Sequence, residues 1–247
     1  MKKSIILMTV ILMTGFITVT AQTEPQYKPS TDQLYLMIEE MPNAVYWLPA
    51  PPEPGTSQFA HDINQYYWGK AQRLDSARAQ KAIREVVFET ADMVKLFSPA
   101  FGMEISKENT PAIFKVLDRA MMTIRLSASK PKATYGRLRP YVRFNEPTLF
   151  PGDEEELRAT GSYPSGHTVR GWGMALLLSE INPDAQNELF KLGYEWGQSR
   201  VIAGYHWQSD VDASRMLAAA SYARLHACEE FLKDMADARK EFKKKNR

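Results

Sequence analysis

Gly161-Ser162-Tyr163-Pro164-Ser165-Gly166-His167-Thr168, running directly into the apolar stretch from Val169 to Ile181, is a tight polar turn that opens a helix. Pro164 and Gly166 punctuate the backbone, and Ser165 stands where an N-cap side chain accepts an orphan amide hydrogen. The amides of Gly166 and His167 then fall at a helix N-terminus, where unpaired N–H groups and the peptide dipoles favour negative charge. The stretch reads as an anion cradle with an imidazole at its lip. Alone it would equally describe an ordinary capped helix carrying an exposed histidine, so the rest of the chain has to decide.

Outward from this turn the helical period dominates. Downstream, Asn182-Pro183-Asp184 makes a turn, Ala185 to Val201 reads as a helix ending near Gly204, and from Val211 to the end the pattern is helical again. Upstream, Gln58 to Arg73 and Ser76 to Leu96 carry apolar residues at helical spacing, with Ser98-Pro99 and Gly102 as stop signals. Thr110-Pro111 opens a further helix, cap first and proline at the first helical position, with Phe114, Val116, Leu117, Ala120, Met121 and Ile124 on its buried face. A shorter pattern runs from about Thr31 to Met41. Pro42 to Ser57 holds five prolines and reads as an irregular loop, pinned to the body by Tyr46 and Trp47. No segment shows the alternation of a strand, so the fold class is all-α, a single compact helical domain.

The first 21 residues form a secretory signal: Lys2 and Lys3, the apolar run Ile5 to Val19, and a small-residue exit at Ala21. That run is shorter than a membrane span requires. The expected mature domain is residues 22–247, exported to the periplasm or beyond, with no stable membrane insertion after cleavage. A formal net charge of +2 calls for neither nucleic acid nor an anionic membrane as partner. Cys228 is the only cysteine, which excludes an internal disulfide, and the four histidines show no zinc-like spacing. Association into a homo-oligomer stays open.

Two further stretches decide in favour of chemistry. Ser129 to Thr160 is long, rich in proline and glycine and weak in helical period, and loops of that length inside a compact domain are usually functional. It gathers Lys132, Arg137, Arg139 and Arg143 shortly before the cradle. Pro140 stiffens the backbone beside Arg139, making Arg139 the fork aimed at an anion, with Arg137 and Arg143 of less consequence. Beyond the cradle, Ser199-Arg200 is followed by His206 and Asp210, an i, i+4 pair that shares a face if the segment is helical.

Lys132 with six residues before Arg139-Pro140, then Pro164-Ser165-Gly166-His167, then Ser199-Arg200 with five residues before His206 and three before Asp210, resembles the type 2 phosphatidic acid phosphatase superfamily. The flanks Gly161-Ser162-Tyr163 and Thr168 make the central block similar to class A bacterial non-specific acid phosphatases. The three motif blocks are complete and in order, covering about residues 132 to 210. The resemblance implies an all-α exported enzyme that hydrolyses small phosphomonoesters of broad specificity. His206 would form a phosphohistidine, Asp210 would orient it, and His167 would protonate the leaving group.

The same roles follow in part from the chemistry. A phosphomonoester needs fixed cations and amides on its nonbridging oxygens, a nucleophile in line and a proton for the departing alkoxide. Lys132, Arg139, Ser165, Gly166 and Arg200 supply the first, and two histidines remain for the rest. A carboxylate at one imidazole nitrogen frees the other to attack, which favours His206. His167, at a helix N-terminus among cations, would be hard to keep protonated, which argues for activity in acid. The cations take the place of a metal, so no cofactor is expected. A vanadium-dependent haloperoxidase would use the same residues on vanadate, a membrane lipid phosphatase would need several spanning helices, and an exported phosphate-binding protein would need the cations but not the paired histidines.

Overall fold

The computed structural model describes residues 33–246, and the expected signal segment lies outside the described residues. Among the described residues there are eleven α-helices and no strand: α1 Ser57–Gln72, α2 Ser76–Arg84, α3 Thr90–Phe101, α4 Pro111–Leu126, α5 Ser129–Tyr135, α6 Pro140–Phe144, α7 Glu154–Arg158, α8 Gly166–Ile181, α9 Gln186–Ala203, α10 Gln208–Leu225 and α11 Glu229–Lys245.

The hub is α8. Val169, Met174, Ala175, Leu177, Leu178 and Ile181 are all buried, so this helix is apolar around most of its circumference and is covered on several sides by α9, α10, α4 and α11. Close approach of α8 and α9 depends on two glycines. A Cβ on Gly171 would stand 2.4 Å from the Trp196 ring, and one on Gly193 would stand 2.7 Å from the Ala175 methyl. Each fully buried aliphatic side chain in this core contributes roughly 1.5–3 kcal/mol. Replacing Leu178 by alanine would cost about 2–5 kcal/mol with the cavity it leaves.

The six residues expected on the buried face of α4 are buried, and Pro111 is its first residue. The Thr110 hydroxyl does not cap that helix; it pairs with the backbone of Ser106, and the Ile113 amide is instead taken up by the Glu241 carboxylate of α11. A tertiary partner has replaced the local one.

Four expectations are corrected. The segment expected to be helical from Thr31 to Met41 holds no α-helix within its described part, only 3₁₀ geometry at Gln33 and at Ile38–Glu40. Leu34, Tyr35, Leu36 and Met41 are apolar because irregular backbone carries them into the core. Tyr46 and Trp47 do not pin the proline-rich loop, since Tyr46 is 88% exposed; Ala44 and Leu48 do, and the Tyr163 hydroxyl bonds to the Pro49 carbonyl. The pattern from Ser76 to Leu96 is two helices, α2 and α3, separated by Glu85–Glu89, and α3 continues through Pro99 to a left-handed Gly102. Finally, the excursion from Ser129 to Thr160 folds into the three short helices α5, α6 and α7. Gly136, in a left-handed conformation, ends α5, and Pro140 starts α6, so these two residues fix the path of Arg137 and Arg139 between them.

Among the described residues no helix is long and apolar enough to cross a membrane.

Candidate active site

Three helix ends meet at one end of the hub: the start of α8, the finish of α9 and the start of α10. Ser165 caps α8 as expected. Its Oγ accepts from the Thr168 amide at 3.3 Å and from the Thr168 hydroxyl at 3.0 Å, which leaves the serine's own proton to donate elsewhere. Gly166 and His167 are the first two residues of the helix, where amides have no carbonyl a turn earlier to bind. A Cβ on Gly166 would meet nothing within 4 Å, so the space over this helix end is open. The Tyr163-Pro164 peptide bond is cis.

His206 and Asp210 do meet, though not on a helix face. His206 precedes α10, whose N-cap is Trp207, and Asp210 sits in the first turn, where its Oδ2 accepts the Trp207 amide at 2.9 Å. Nδ1 of His206 lies 3.3 Å from the same oxygen. The Ser162 hydroxyl donates to Asp210 as well. With Nδ1 donating to the carboxylate, the tautomer places the lone pair on Nε2, which is 3.2 Å from Nη1 of Arg139. Burial, opposed by Asp210 and aided by Arg139, pushes the His206 imidazole down to about 3. Burial alone would raise the Asp210 carboxyl, but the hydrogen bond from His206 and the Arg137 charge outweigh it and hold the group below the usual carboxylate range.

The predicted cations converge here. Arg139 is buried, with Nε on the Leu157 carbonyl at 3.0 Å and Nη2 on the Thr160 hydroxyl at 2.8 Å. Lys132 reaches the Gly161 carbonyl at 2.6 Å. Arg200, 1% exposed on the last turn of α9, lies over the Tyr205 ring at 4.5 Å, and its Nε and Nη1 find no acceptor among the described residues. Five other arginines leave one buried nitrogen without an acceptor among the described residues, whereas Arg200 leaves two, and a fixed pair of guanidinium donors suits an anion. Burial lowers its pKa to about 10, still charged at neutral pH. Lys132 and Arg139 both reach the Gly161 carbonyl, the Ser165 amide lies 3.4 Å from the Asp210 carbonyl, and the His206 amide lies 3.4 Å from the Arg200 carbonyl, so the predicted residues gather where these helix ends meet.

His167 has a different setting. Its Nε2 is 2.7 Å from the Val86 carbonyl, in the break between α2 and α3, and its ring packs on Phe88 at 5.0 Å between centroids. Burial first, then Arg200, holds this imidazole well below its ordinary range. With Nε2 taken up by that carbonyl, Nδ1 is the ring nitrogen that remains.

Sequence reasoning missed several participants. Arg137, expected to matter less than Arg139, has a side chain only 8% exposed, with Nη1 2.5 Å from Asp210 and Nη2 2.6 Å from Asp62. Arg143 does lie apart, over the Phe59 ring. Asp62 was detectable: it falls on the stripe Phe59, Asp62, Tyr66, Gly69 that α1 buries, and a carboxylate on an apolar stripe demands a cation. The Val86 carbonyl was not, because its role follows from a helix break.

A family model for the PAP2 superfamily matches residues 119–233. The chain is 40% identical over 214 residues to a non-specific acid phosphatase of Providencia stuartii, covering 86% of each chain. It is 39% identical to a non-specific acid phosphatase of Salmonella typhimurium over 87% of this chain and 86% of the other. An acid phosphatase of Zymomonas mobilis is 33% identical over 92% of this chain and 83% of the other. With helix ends gathering the motif residues and similarity over most of its length, the chain belongs to the PAP2 superfamily and is an acid phosphatase of the non-specific kind.

Proposed function

We propose that the protein hydrolyses phosphomonoesters in two steps through a phosphohistidine at His206, without a metal, after export from the cytoplasm. The observation that carries this reading is the pair of contacts on one ring: Nδ1 of His206 on Asp210, Nε2 beside Arg139. A neutral imidazole so held presents a fixed lone pair to whatever anion Arg139 binds. Because burial keeps His206 neutral down to about pH 3, the nucleophile stays competent in acid.

In the first step Nε2 attacks phosphorus and the bond from phosphorus to the ester oxygen breaks. The departing alkoxide takes a proton from Nδ1 of His167. In the second step water attacks the phosphohistidine and gives its proton back to His167, phosphate leaves, and His206 is restored. Lys132, Arg139, Arg200, the Ser165 hydroxyl and the Gly166 amide hold the nonbridging oxygens, where charge accumulates in the transition state. This donor set is cationic and would repel a metal ion. It grips the phosphoryl group alone, which suits a broad range of leaving groups. Export rests on the signal pattern of residues 1–21.

The test is turnover of p-nitrophenyl phosphate and of several alkyl phosphates after exhaustive dialysis against a chelator. Undiminished activity, rising as pH falls below neutral, is expected. Activity lost on chelation and restored by a divalent cation would refute the metal-free mechanism.

A further inference from the structure

Behind the candidate nucleophile lies a second layer that the three motif blocks do not assign. Asp62 of α1 is fully buried, and both of its oxygens are occupied: Oδ1 accepts the Ser209 amide at 2.8 Å, while Oδ2 accepts the Ser209 hydroxyl and Nη2 of Arg137, each at 2.6 Å. Nη1 of Arg137 in turn donates to Oδ1 of Asp210 at 2.5 Å and to the Ser209 hydroxyl at 2.8 Å. Asp210 passes the chain to Nδ1 of His206 through its other oxygen. The order is carboxylate, guanidinium, carboxylate, imidazole, and it crosses from α1 through the 136–139 connection to the start of α10.

We infer that Asp62 and Arg137 are positioning residues for His206, with Asp62 sharing the Arg137 charge so that Asp210 keeps its grip on the imidazole. The inference rests on the phosphohistidine reading. Its physical basis is a competition. A buried guanidinium bonded to Asp210 alone would draw the carboxylate's electron density away from His206 and leave the ring less basic and less firmly oriented. A second carboxylate on the opposite edge of the fork balances that pull, and two buried carboxylates around one cation are tolerable only in this bridged form. Ser209 stitches the bridge shut, since its amide and hydroxyl both engage Asp62. None of these residues adds a donor to the phosphate cradle, so their effect falls on the chemical step and spares binding.

The test compares Asp62→Asn, Ser209→Ala and wild-type full-length protein by steady-state kinetics on p-nitrophenyl phosphate, inhibition by inorganic phosphate, and rapid-quench phosphorylation with labelled substrate. Asp62→Asn should lower kcat and the phosphorylation rate on the order of 10–100-fold, the scale on which partners one layer behind a functional histidine act. KM and the phosphate inhibition constant should stay within about twofold. Ser209→Ala keeps both carboxylates, so it should fold even if Asp62→Asn does not, and should lower kcat several-fold with the same split. Wild-type kcat in a folded Asp62→Asn, or parallel losses in phosphate affinity and kcat, would overturn the inference while leaving the nucleophile in place. Unchanged kcat in Ser209→Ala would overturn it if Asp62→Asn is insoluble. Absence of acid-labile label on wild-type protein would instead bring down the phosphohistidine reading itself, and this inference with it.

Discussion

His206 stands just before α10 and His167 in the first turn of α8, and what backs each ring differs in kind. Behind His206 stand Asp210 and Ser162, followed by Arg137 and Asp62, a layered polar network in which both carboxylates are buried. Behind His167 stand one carbonyl and one phenyl ring, from Val86 and Phe88, with the cations Arg200 and Arg170 acting on it and no carboxylate hydrogen-bonded to it among the described residues. A ring anchored by a carboxylate has a fixed tautomer and tolerates the positive charge that a covalent phosphoryl adduct creates. One surrounded by cations resists holding a proton and surrenders it readily once it has one. The contrast agrees with the proposed roles, attack by the first and proton donation by the second.

Removing the carboxylate from the first environment should have the largest effect. Asp210→Asn leaves the shape intact but reverses the preference at Nδ1, and kcat should fall on the order of 10⁴-fold, as expected when an orienting carboxylate loses its charge. Steady-state kinetics on a folded variant check this, and a loss below about tenfold would remove Asp210 from the mechanism. Next in size, His167→Ala should cut turnover of alkyl phosphates by about 10²–10⁴-fold. Turnover of p-nitrophenyl phosphate, whose leaving group needs little protonation, should drop far less. Equal losses on both esters would erase the distinction between the two histidines.

Arg200→Ala probes the floor shared by both rings. Its unpaired Nε and Nη1 are the clearest sign of an anion's place, and their removal should cost about 10²–10³-fold in kcat/KM while folding survives. Unchanged kinetics would move the phosphoryl site elsewhere.

The smallest predicted effect is on stability. Both imidazoles titrate below the ordinary 6.5 in the folded chain, so as pH falls below that value the unfolded chain takes up protons first. Their contribution is therefore full above about 6.5 and is lost as pH falls below it, for His206 down to about 3. Asp210, also held low, adds to the loss at more acid pH, whereas Glu85, raised by burial, works in the opposite direction. Thermal melts should show Tm falling from pH 6.5 to 4, with a shallower slope in His206→Ala. A Tm that rises on acidification would contradict the buried neutral state of these rings.

The two environments were unequally legible in the sequence. His206 and Asp210 could be paired from spacing alone, but the reason offered, a shared helix face, was wrong: Trp207 caps α10 between them, and Asp210 folds back from the first turn. The cradle at Ser165 and Gly166 was readable because proline, serine and glycine act locally. Val86 was not readable, because one helix and two helices from Ser76 to Leu96 have nearly the same apolar period and only tertiary packing breaks them at Glu85–Glu89. Arg137 and Arg139 stand two residues apart in one cationic run. Their separate fates, one paired with carboxylates and the other beside His206 Nε2, depend on the left-handed turn at Gly136 and the helix start at Pro140. Asp62 lies far from both in sequence and joins them only through the packing of α1 against α10.

The contrast between the rings is tested most directly by locating the covalent intermediate. Wild-type protein mixed with labelled phosphomonoester and quenched in base within milliseconds should carry base-stable, acid-labile label on a single peptide, and fragmentation should place it on His206. His206→Ala should carry none, and His167→Ala should still accumulate it from p-nitrophenyl phosphate. Label mapped to His167, or retained in His206→Ala, would contradict the assignment and exchange the roles of the two histidines.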